Sequence, residues 1–397
     1  MKENNLIKVG MEAQSLISDK KTGIGYVAEY LIKGLNKYPY IECEMQYLKK
    51  NQLYEREIIK KYQLLGIKQK ENRALRHGWY KLLWPLFHIP YRLLFGEKSD
   101  ITIFPNFIVP YGVKGKKIAI VHDMAYMTCP QTVQKVTRYW LKCLMKGSCK
   151  RADIIITVSE FSKSEILKYI NVSEKKIEVI YNGVDKNKYN INISPNDIKV
   201  IKGKYDIGEE YFLYFGTLEP RKNIVNIIKA YKNFITNYNS GENIPELILA
   251  GKKGWMYDEI FQLIQGLGLT NKVKHIGYVS EEDAVPLMKG ARSFVFPSLY
   301  EGFGMPVLEA MACGVPVITS NLSSLKEIAG NAAILVNPLN IGEICDAFEK
   351  VYREPGLSEK LINRGYEQIN KFTWDNAIAQ YVDIIKKMVQ FDEKTME

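Results

Sequence analysis

Four histidines in 397 residues are few, and the six cysteines (Cys43, Cys129, Cys143, Cys149, Cys313 and Cys345) stand apart with no C-x-x-C pair. Neither a disulfide framework nor a zinc site is expected from that spacing. No stretch reaches the roughly 18 consecutive apolar residues needed to span a bilayer. The N-terminal MKENNLIKVGMEAQ has no apolar core of the signal-peptide kind. A cytoplasmic chain is therefore expected. Internal repeats, low-complexity tracts and the signatures of nucleic-acid-binding folds are missing as well, so nucleic acid is not an expected partner.

What is present is a globular composition, 46% hydrophobic and 25% charged. A chain of 397 residues is too long for one ordinary core, which points to two domains of roughly 150–200 residues each. Charge is divided unevenly. Residues 1–200 carry 34 Lys and Arg against 19 Asp and Glu, a balance of +15, whereas residues 201–397 carry 21 against 25, a balance of −4. An anionic partner for the first half explains this, such as a membrane surface, nucleic acid or a phosphorylated substrate. A lysine-rich solvated surface explains it equally well.

Short apolar runs alternate with amphipathic ones along the chain. In the first half LIKVGME, DITIFPN, KIAIVHD, ADIIITVS and KIEVIYNGV read as strands, with GYVAEYLIKGLNK and SKSEILKYI as helices. In the second half YFLYFGTL, ELILAG, KVKHIGYV, SFVFPS and VPVITS alternate with RKNIVNIIKAYKNFI, YDEIFQLIQGLG, EDAVPLMKGA and MPVLEAMAC. Such alternation predicts an α/β protein with two doubly wound parallel sheets. Residues 186–208 carry no clear period and are expected to be the linker.

In doubly wound sheets ligands bind beyond the carboxyl ends of the strands, so the chemistry is expected in strand-to-helix loops. Four stand out: TGIGY (22–26), VHDM (121–124), GTLEPRKN (216–223) and SLYEGFGMP (298–306). Arg221 and Lys222 fall at a helix start, where positive charge opposes the macrodipole. A diphosphate would resolve that conflict through charge-assisted hydrogen bonds of about 1.5–3 kcal/mol each. Two solvated basic residues at a loop tip are the alternative.

In the fourth loop Glu301 precedes a helix that Pro306 suits at its first turn and Gly314 ends, and Glu309 lies about one turn inside it. Helix capping would account for either glutamate alone. Gly302 and Gly304, which bracket Phe303, remove side-chain bulk where backbone N–H groups could cradle a polar ligand. TGIGY has two close glycines, Gly23 and Gly25, without the third of the dinucleotide fingerprint. His122 follows the run KIAIV at a strand end, either as a structural hydrogen-bonding residue or as part of an active site.

GTLEPRKN and SLYEGFGMPVLEAMACGVPVITS, with VSEFSKSEI at 158–166 and NGVD at 182–185, resemble the retaining glycosyltransferases of family 4. The resemblance covers nearly the whole chain and is weakest between about 45 and 100; two glutamates separated by seven residues in a glycine-rich context are its most specific part. It implies the GT-B fold, two Rossmann-like domains facing a central cleft. The acceptor domain would span 1–190, with a C-terminal helix at about 376–397 packed back onto it, and the nucleotide-sugar domain would span 205–375.

By position, the resemblance gives Glu309 the ribose hydroxyls of a nucleotide, and Arg221 and Lys222 the donor diphosphate. Glu301 and the backbone of Gly302, Phe303, Gly304 and Met305 would hold the sugar, with Gly23, Gly25 and Gly216 in the donor set. His122 would stand beside the sugar, and backbone near Tyr278 and Val279 would read the base. His122, Arg221, Lys222 and Glu301 are the expected catalytic set. No D-x-D triplet occurs on the four loops, so cationic side chains, and no metal, are expected to stabilise the leaving diphosphate. Retention of configuration in this family is usually explained by a same-face, oxocarbenium-like displacement.

In wording the motifs are closest to bacterial mannosyltransferases that use GDP-mannose, with no cofactor. A UDP-sugar or dTDP-rhamnose donor, or a non-catalytic sugar-nucleotide or polyanion-binding protein, are the alternatives. The acceptor is expected to be a glycan or a polyprenyl-linked glycan. The segment 66–98 holds seven Lys and Arg and six aromatics against two acids, with breaks at Pro85 and Pro90. It is expected to lie on an anionic membrane surface, making the protein peripheral on the inner face of the plasma membrane. A core helix pair with snorkelling lysines is the alternative.

Overall fold

Continuous runs of β-branched and apolar residues make strands that are buried on both faces. Strands β5 (Lys116–Val121, KKIAIV) and β6 (Ile154–Thr157, IIIT) are of this kind: Ile118, Ala119, Ile120, Val121, Ile155 and Ile156 are all fully buried. The structure is a computed structural model that describes residues 6–18, 21–49, 53–72, 89–96, 99–190, 192–237 and 244–395. The chain divides into two units, one of Met1–Met127, Lys135–Gly183 and Trp374–Glu397, the other of Thr128–Gln134 and Val184–Thr373.

The first unit is built on a parallel sheet that adds β1 (Ile7–Glu12), β2 (Ile41–Leu48), β3 (Lys68–Asn72), β4 (Ile101–Phe104) and β7 (Ile177–Val179) to β5 and β6. The order is β3-β2-β1-β4-β5-β6-β7, with Ile7 opposite Ile41 and Val9 opposite Ile101. The order reverses between β1 and β4, and that reversal opens a crevice at their carboxyl ends. The helix Gly23–Leu35 leaves β1 there. The terminal helix Trp374–Thr395 belongs to this unit, where Ala377, Ile378, Tyr381, Val382 and Ile385 pack with Leu31, Ile32 and Leu35. Contact is close because Gly34 has no side chain; a Cβ there would lie 2.5 Å from Cγ1 of Ile378.

The second unit carries β8 (Tyr211–Phe215), β9 (Glu246–Ala250), β10 (Val273–Gly277), β11 (Ser293–Phe296), β12 (Val317–Ser320) and β13 (Ile334–Val336). Its order, β10-β9-β8-β11-β12-β13, is again all parallel and reverses between β8 and β11. Phe212, Tyr231, Phe234 and Phe348 form an aromatic knot beneath it, with Phe212 and Phe348 ring centroids 4.7 Å apart. Each unit therefore has the doubly wound arrangement expected from the strand–helix alternation.

Three local expectations change. The stretch 186–208 is not all linker: Pro195–Lys204 is a helix in the second unit. A capping box starts it, with Ser194 Oγ accepting from Asp197 N at 3.1 Å and Asp197 Oδ2 accepting from Ser194 N at 3.2 Å. Strands β2 and β3 are not among the apolar runs that the sequence alternation marks. β3 (KQKEN) contains no apolar residue and holds its place at the sheet edge through its ladder with β2, so no hydrophobic pattern marks it.

The third change concerns 66–98. Its start is that edge strand, and near its end Tyr91–Phe95 is a short helix whose Tyr91 and Phe95 are buried, with Tyr91 Oη donating to Gln46 Oε1 at 2.8 Å. Those two aromatics belong to the core. Residues 73–88 and 97–98, which include Trp79, Trp84 and Phe87, lie outside the described residues. Among the described residues no helix is long and apolar enough to cross a membrane.

Candidate active site

In the second unit, the loops that follow β8 and β11 flank the point where strand order reverses. The first is GTLEPRKN. Gly216 leaves β8 with φ +156°, and Gly251, at the end of β9, runs so close that a Cβ on it would lie 1.9 Å from Gly216 O. Pro220–Lys222 makes one 3-10 turn, which Asn223 ends in the left-handed region at φ 63°. Asparagine tolerates that conformation. Its side-chain amide fixes the turn by donating to Pro297 O at 3.0 Å and to Pro338 O at 2.6 Å.

That turn delivers Arg221 and Lys222 to Glu301 on the second loop. Arg221 Nη1 lies 2.9 Å from Glu301 Oε2, and Lys222 Nζ lies 2.6 Å from Oε1. Arg221 is engaged on its other edge too: Nε and Nη2 donate to Glu219 Oε1 at 3.2 and 2.9 Å, and Nη1 donates to Tyr300 O at 2.9 Å. Glu219 and Glu301 are buried, 5% and 7% exposed, so both carboxylates depend on these donors. Burial raises the Glu301 pKa, but Arg221 and Lys222 outweigh it and hold the carboxyl below the ordinary glutamate value. Burial moves Lys222 the other way, lowering its pKa despite the adjacent Glu301. The ammonium also sits 4.8 Å from the Phe296 ring centroid.

The loop around Glu301 is clamped from the helix Ser323–Ala329. Glu301 N donates to Ser323 Oγ at 3.2 Å, and Ser324 Oγ donates to Glu301 O at 2.9 Å and Phe303 O at 3.0 Å. Phe303 is buried edge-on against Phe372, centroids 5.9 Å apart. Gly304 caps the helix Met305–Ala312 at φ 104°, and a Cβ there would meet Leu325 Cδ2 at 2.5 Å. With no side chain at the cap, the N–H of Met305 gains no side-chain acceptor; Pro306 has no N–H, and Val307 N already donates to Gly304 O.

Glu309 is one turn further along and half-buried. Burial pushes its carboxyl up to about 7, against Lys188 and a hydrogen bond from Tyr189, while Glu281 adds to the rise. At the end of β10, the register breaks between His275 and Gly277, and Tyr278 projects 57% exposed with Lys252 Nζ 4.7 Å from its ring centroid. Val279 beside it is buried.

Gly23, Gly25 and His122 belong to the first unit. A Cβ at Gly25 would lie 2.9 Å from Ser15 O, so the helix start needs glycine there, whereas Gly23 faces open space. His122 follows β5, where Nε2 is 2.8 Å from Pro105 O. Burial lowers its pKa more than Pro105 and Asp123 raise it, so the ring is neutral and donates Nε2–H to that carbonyl.

Residues 197–368 match the family model of the group 1 glycosyl transferases, and residues 50–188 match that of Glycosyltransferase Family 4. Over 333 residues the chain is 34% identical to the O-antigen chain mannosyltransferase B of Escherichia coli, covering 80% of this chain and 85% of the relative. The chain belongs to glycosyltransferase family 4. It is also 32% identical over 257 residues to the O-antigen chain mannosyltransferase RfbU of Salmonella typhimurium, 64% of this chain and 65% of that protein. Among solved structures, Anabaena HepE in complex with UDP and glucose superposes with a TM-score of 0.75 over 96% of this chain and 100% of that one, at 18% identity. The fold is GT-B.

Sequence reasoning on this glycosyltransferase passed over Glu219, Lys252, Tyr189 and the Ser323–Ser324 pair. Glu219 lies inside GTLEPRKN and could have been found as an acid two residues before Arg221. The other three reach the site through tertiary contacts, and nothing local marks them.

Proposed function

We propose that this glycosyltransferase moves mannose from GDP-mannose, with retention of configuration, onto a glycan or polyprenyl-linked acceptor in the assembly of a bacterial surface polysaccharide. The observation that carries the reading is the Lys222–Glu301–Arg221 cluster at the strand-order reversal, next to the helix start at Met305. The E. coli and Salmonella relatives, both named O-antigen chain mannosyltransferases, supply the sugar.

Each group has a task. Lys222 donates one of its three N–H bonds to Glu301 and has two for the phosphate oxygens of the departing diphosphate. Glu301, kept ionised by its two cations, accepts sugar hydroxyls, and the N–H at the helix start adds a dipole aimed at negative charge. Arg221 holds Glu301 and Glu219 in place. Glu309 takes the ribose hydroxyls, and the exposed Tyr278 with Lys252 borders the base. Cationic side chains thus do the work that a divalent ion does in other transferases. The enzyme works in the cytoplasm, peripherally at the membrane that carries its acceptor.

A thermal-shift panel of nucleotide sugars, read with nucleotide release, tests this. A ligand at about 100 times its Kd adds about 2.7 kcal/mol of stability. GDP-mannose is expected to raise the midpoint above UDP-glucose, UDP-galactose and dTDP-rhamnose, and GDP to be released when acceptor is added. A larger shift with another donor replaces GDP-mannose; binding without nucleotide release under any acceptor makes the chain a binding protein.

A further inference from the structure

The loop that leaves β4 in the first unit, Pro105-Asn106-Phe107-Ile108-Val109, contains a strained turn. Ile108 N donates to Asn106 O at 2.6 Å across Phe107, whose φ is 62°. A three-residue turn with a left-handed central residue is rare, and an aromatic side chain is poorly suited to its centre. The surroundings hold it there. Phe107 N donates to Ile120 O at 3.2 Å. Ser148 Oγ, fully buried on the helix Lys135–Arg151, donates to Phe107 O and accepts from Val109 N, both at 2.7 Å. Arg151 closes the other side, donating from Nε and Nη2 to Val109 O at 3.0 and 2.7 Å.

Strain that is over-determined in this way concentrates where a fold presents a functional group. The turn stands at the carboxyl end of β4, beside the β1–β4 order reversal where a doubly wound sheet binds its ligand. Asn106 is exposed, while both its neighbours are buried and touch His122. Pro105 O accepts from His122 Nε2 at 2.8 Å, and the Phe107 ring lies edge-on to the imidazole with centroids 5.6 Å apart. With Nε2–H donated to that carbonyl, Nδ1 of the neutral ring is an acceptor. An amide that both donates and accepts, beside a lone acceptor, matches neighbouring hydroxyls of a pyranose, each of which also donates and accepts. We propose that Asn106 is a sugar-binding residue, acting with His122 Nδ1 on adjacent hydroxyls, and that the turn at Phe107 sets its position. The inference rests on the reading of the chain as a sugar transferase. The hydroxyls belong to the donor sugar or to the acceptor glycan, and the two sources are separated by experiment.

Two binding measurements on the full chain test the inference: calorimetry with GDP and with the nucleotide sugar that gives the largest thermal shift, and saturation-transfer NMR with methyl α-mannoside. Asn106→Ala is expected to leave GDP affinity and the urea midpoint unchanged, since the side chain is exposed and the residues assigned to the nucleotide belong to the second unit. A loss of about tenfold in nucleotide-sugar affinity puts Asn106 on the donor sugar, and loss of the methyl α-mannoside signal puts it on the acceptor. Ser148→Ala releases the turn and keeps Asn106, so it should show the same split between sugar and GDP; equal loss of both overturns the part assigned to the turn. Asn106→Ala protein that matches wild type in both measurements overturns the inference. Wild-type protein that binds methyl α-mannoside through Asn106 but no nucleotide sugar leaves it standing and overturns the proposed function instead. Wild-type protein that binds neither overturns both.

Discussion

Arg221 and Glu301, eighty positions apart in sequence, are joined Nη1 to Oε2 at 2.9 Å, and the same guanidinium holds Glu219 on its other edge. Its N–H bonds go to protein acceptors, among them Glu219 twice, Tyr300 O and Glu301. Lys222, the neighbouring cation, has donors to spare. The two residues that sequence reasoning pairs as diphosphate ligands are thus differently committed, Arg221 to two carboxylates and a backbone carbonyl, Lys222 to the one carboxylate of Glu301.

Arg221→Ala is expected to act first on stability. It removes the cation on buried Glu219 and one of the two cations on Glu301, and breaking a buried pair costs about 3–5 kcal/mol, visible as a lowered urea midpoint. Lys222→Ala should instead weaken sugar-nucleotide binding far more than nucleoside binding. Because the Glu301 pKa is depressed in the folded state, its stabilising contribution is present above the ordinary value of 4.5 and is lost as pH falls through the folded value. An Arg221→Ala protein as stable as wild type at neutral pH would falsify the positioning role.

Glu309→Gln and Glu301→Gln should separate the two halves of the donor. Glu309→Gln replaces an acceptor oxygen by a donor and is expected to weaken GDP and GDP-mannose alike by about 1.5–3 kcal/mol. Glu301→Gln should leave GDP affinity nearly intact and lower turnover. Calorimetry with GDP alongside steady-state rates decides; equal loss of GDP affinity in both variants defeats the assignment.

Glu309 also sets a pH dependence. Its carboxyl is raised from 4.5 to about 7, so between those values the folded chain keeps a proton that the unfolded chain has lost. Stability then falls as pH rises through that window and is level above it. If ribose hydroxyls donate to the ionised form, GDP affinity should rise about tenfold from about pH 6 to about pH 8. Glu309→Gln should abolish both trends, and trends that persist in that variant belong to another group.

Ser323 holds the Glu301 loop from a strained backbone, with φ 55° and Oγ accepting from Glu301 N. Ser323→Gly loses the hydrogen bond and relieves the strain, for a net change within about 1 kcal/mol. Ser323→Ala loses the bond and keeps the strain. It should be less stable than the glycine variant by about 1 kcal/mol in urea unfolding. Equal midpoints for the two variants would mean that no strain is stored there.

If cations hold the leaving diphosphate, turnover should survive excess EDTA. Loss of activity that magnesium or manganese restores would transfer that role to a metal.

The sequence by itself determined the class of fold and the loops that matter. Runs such as KIAIV and VITS are apolar on both faces, which only strands covered by helices on both sides can bury, and the breaks after them mark the strand ends. The glycines of EGFGMP and the Pro-Arg-Lys turn are local requirements of backbone and charge, so they too could be read in one dimension. β3 could not, because KQKEN owes its conformation to the ladder on β2 and not to its own side chains. Nor could the helix Pro195–Lys204, with Ile201 as its one buried residue.

What tertiary structure alone decided is which charges meet. Whether Arg221 faces solvent, a ligand or Glu301 depends on bringing positions 219, 221, 300 and 301 together, and the Ser323–Ser324 clamp depends on the packing of another helix. Periodicity records that a residue has a preferred face; only the packed elements around it establish whether that face is covered.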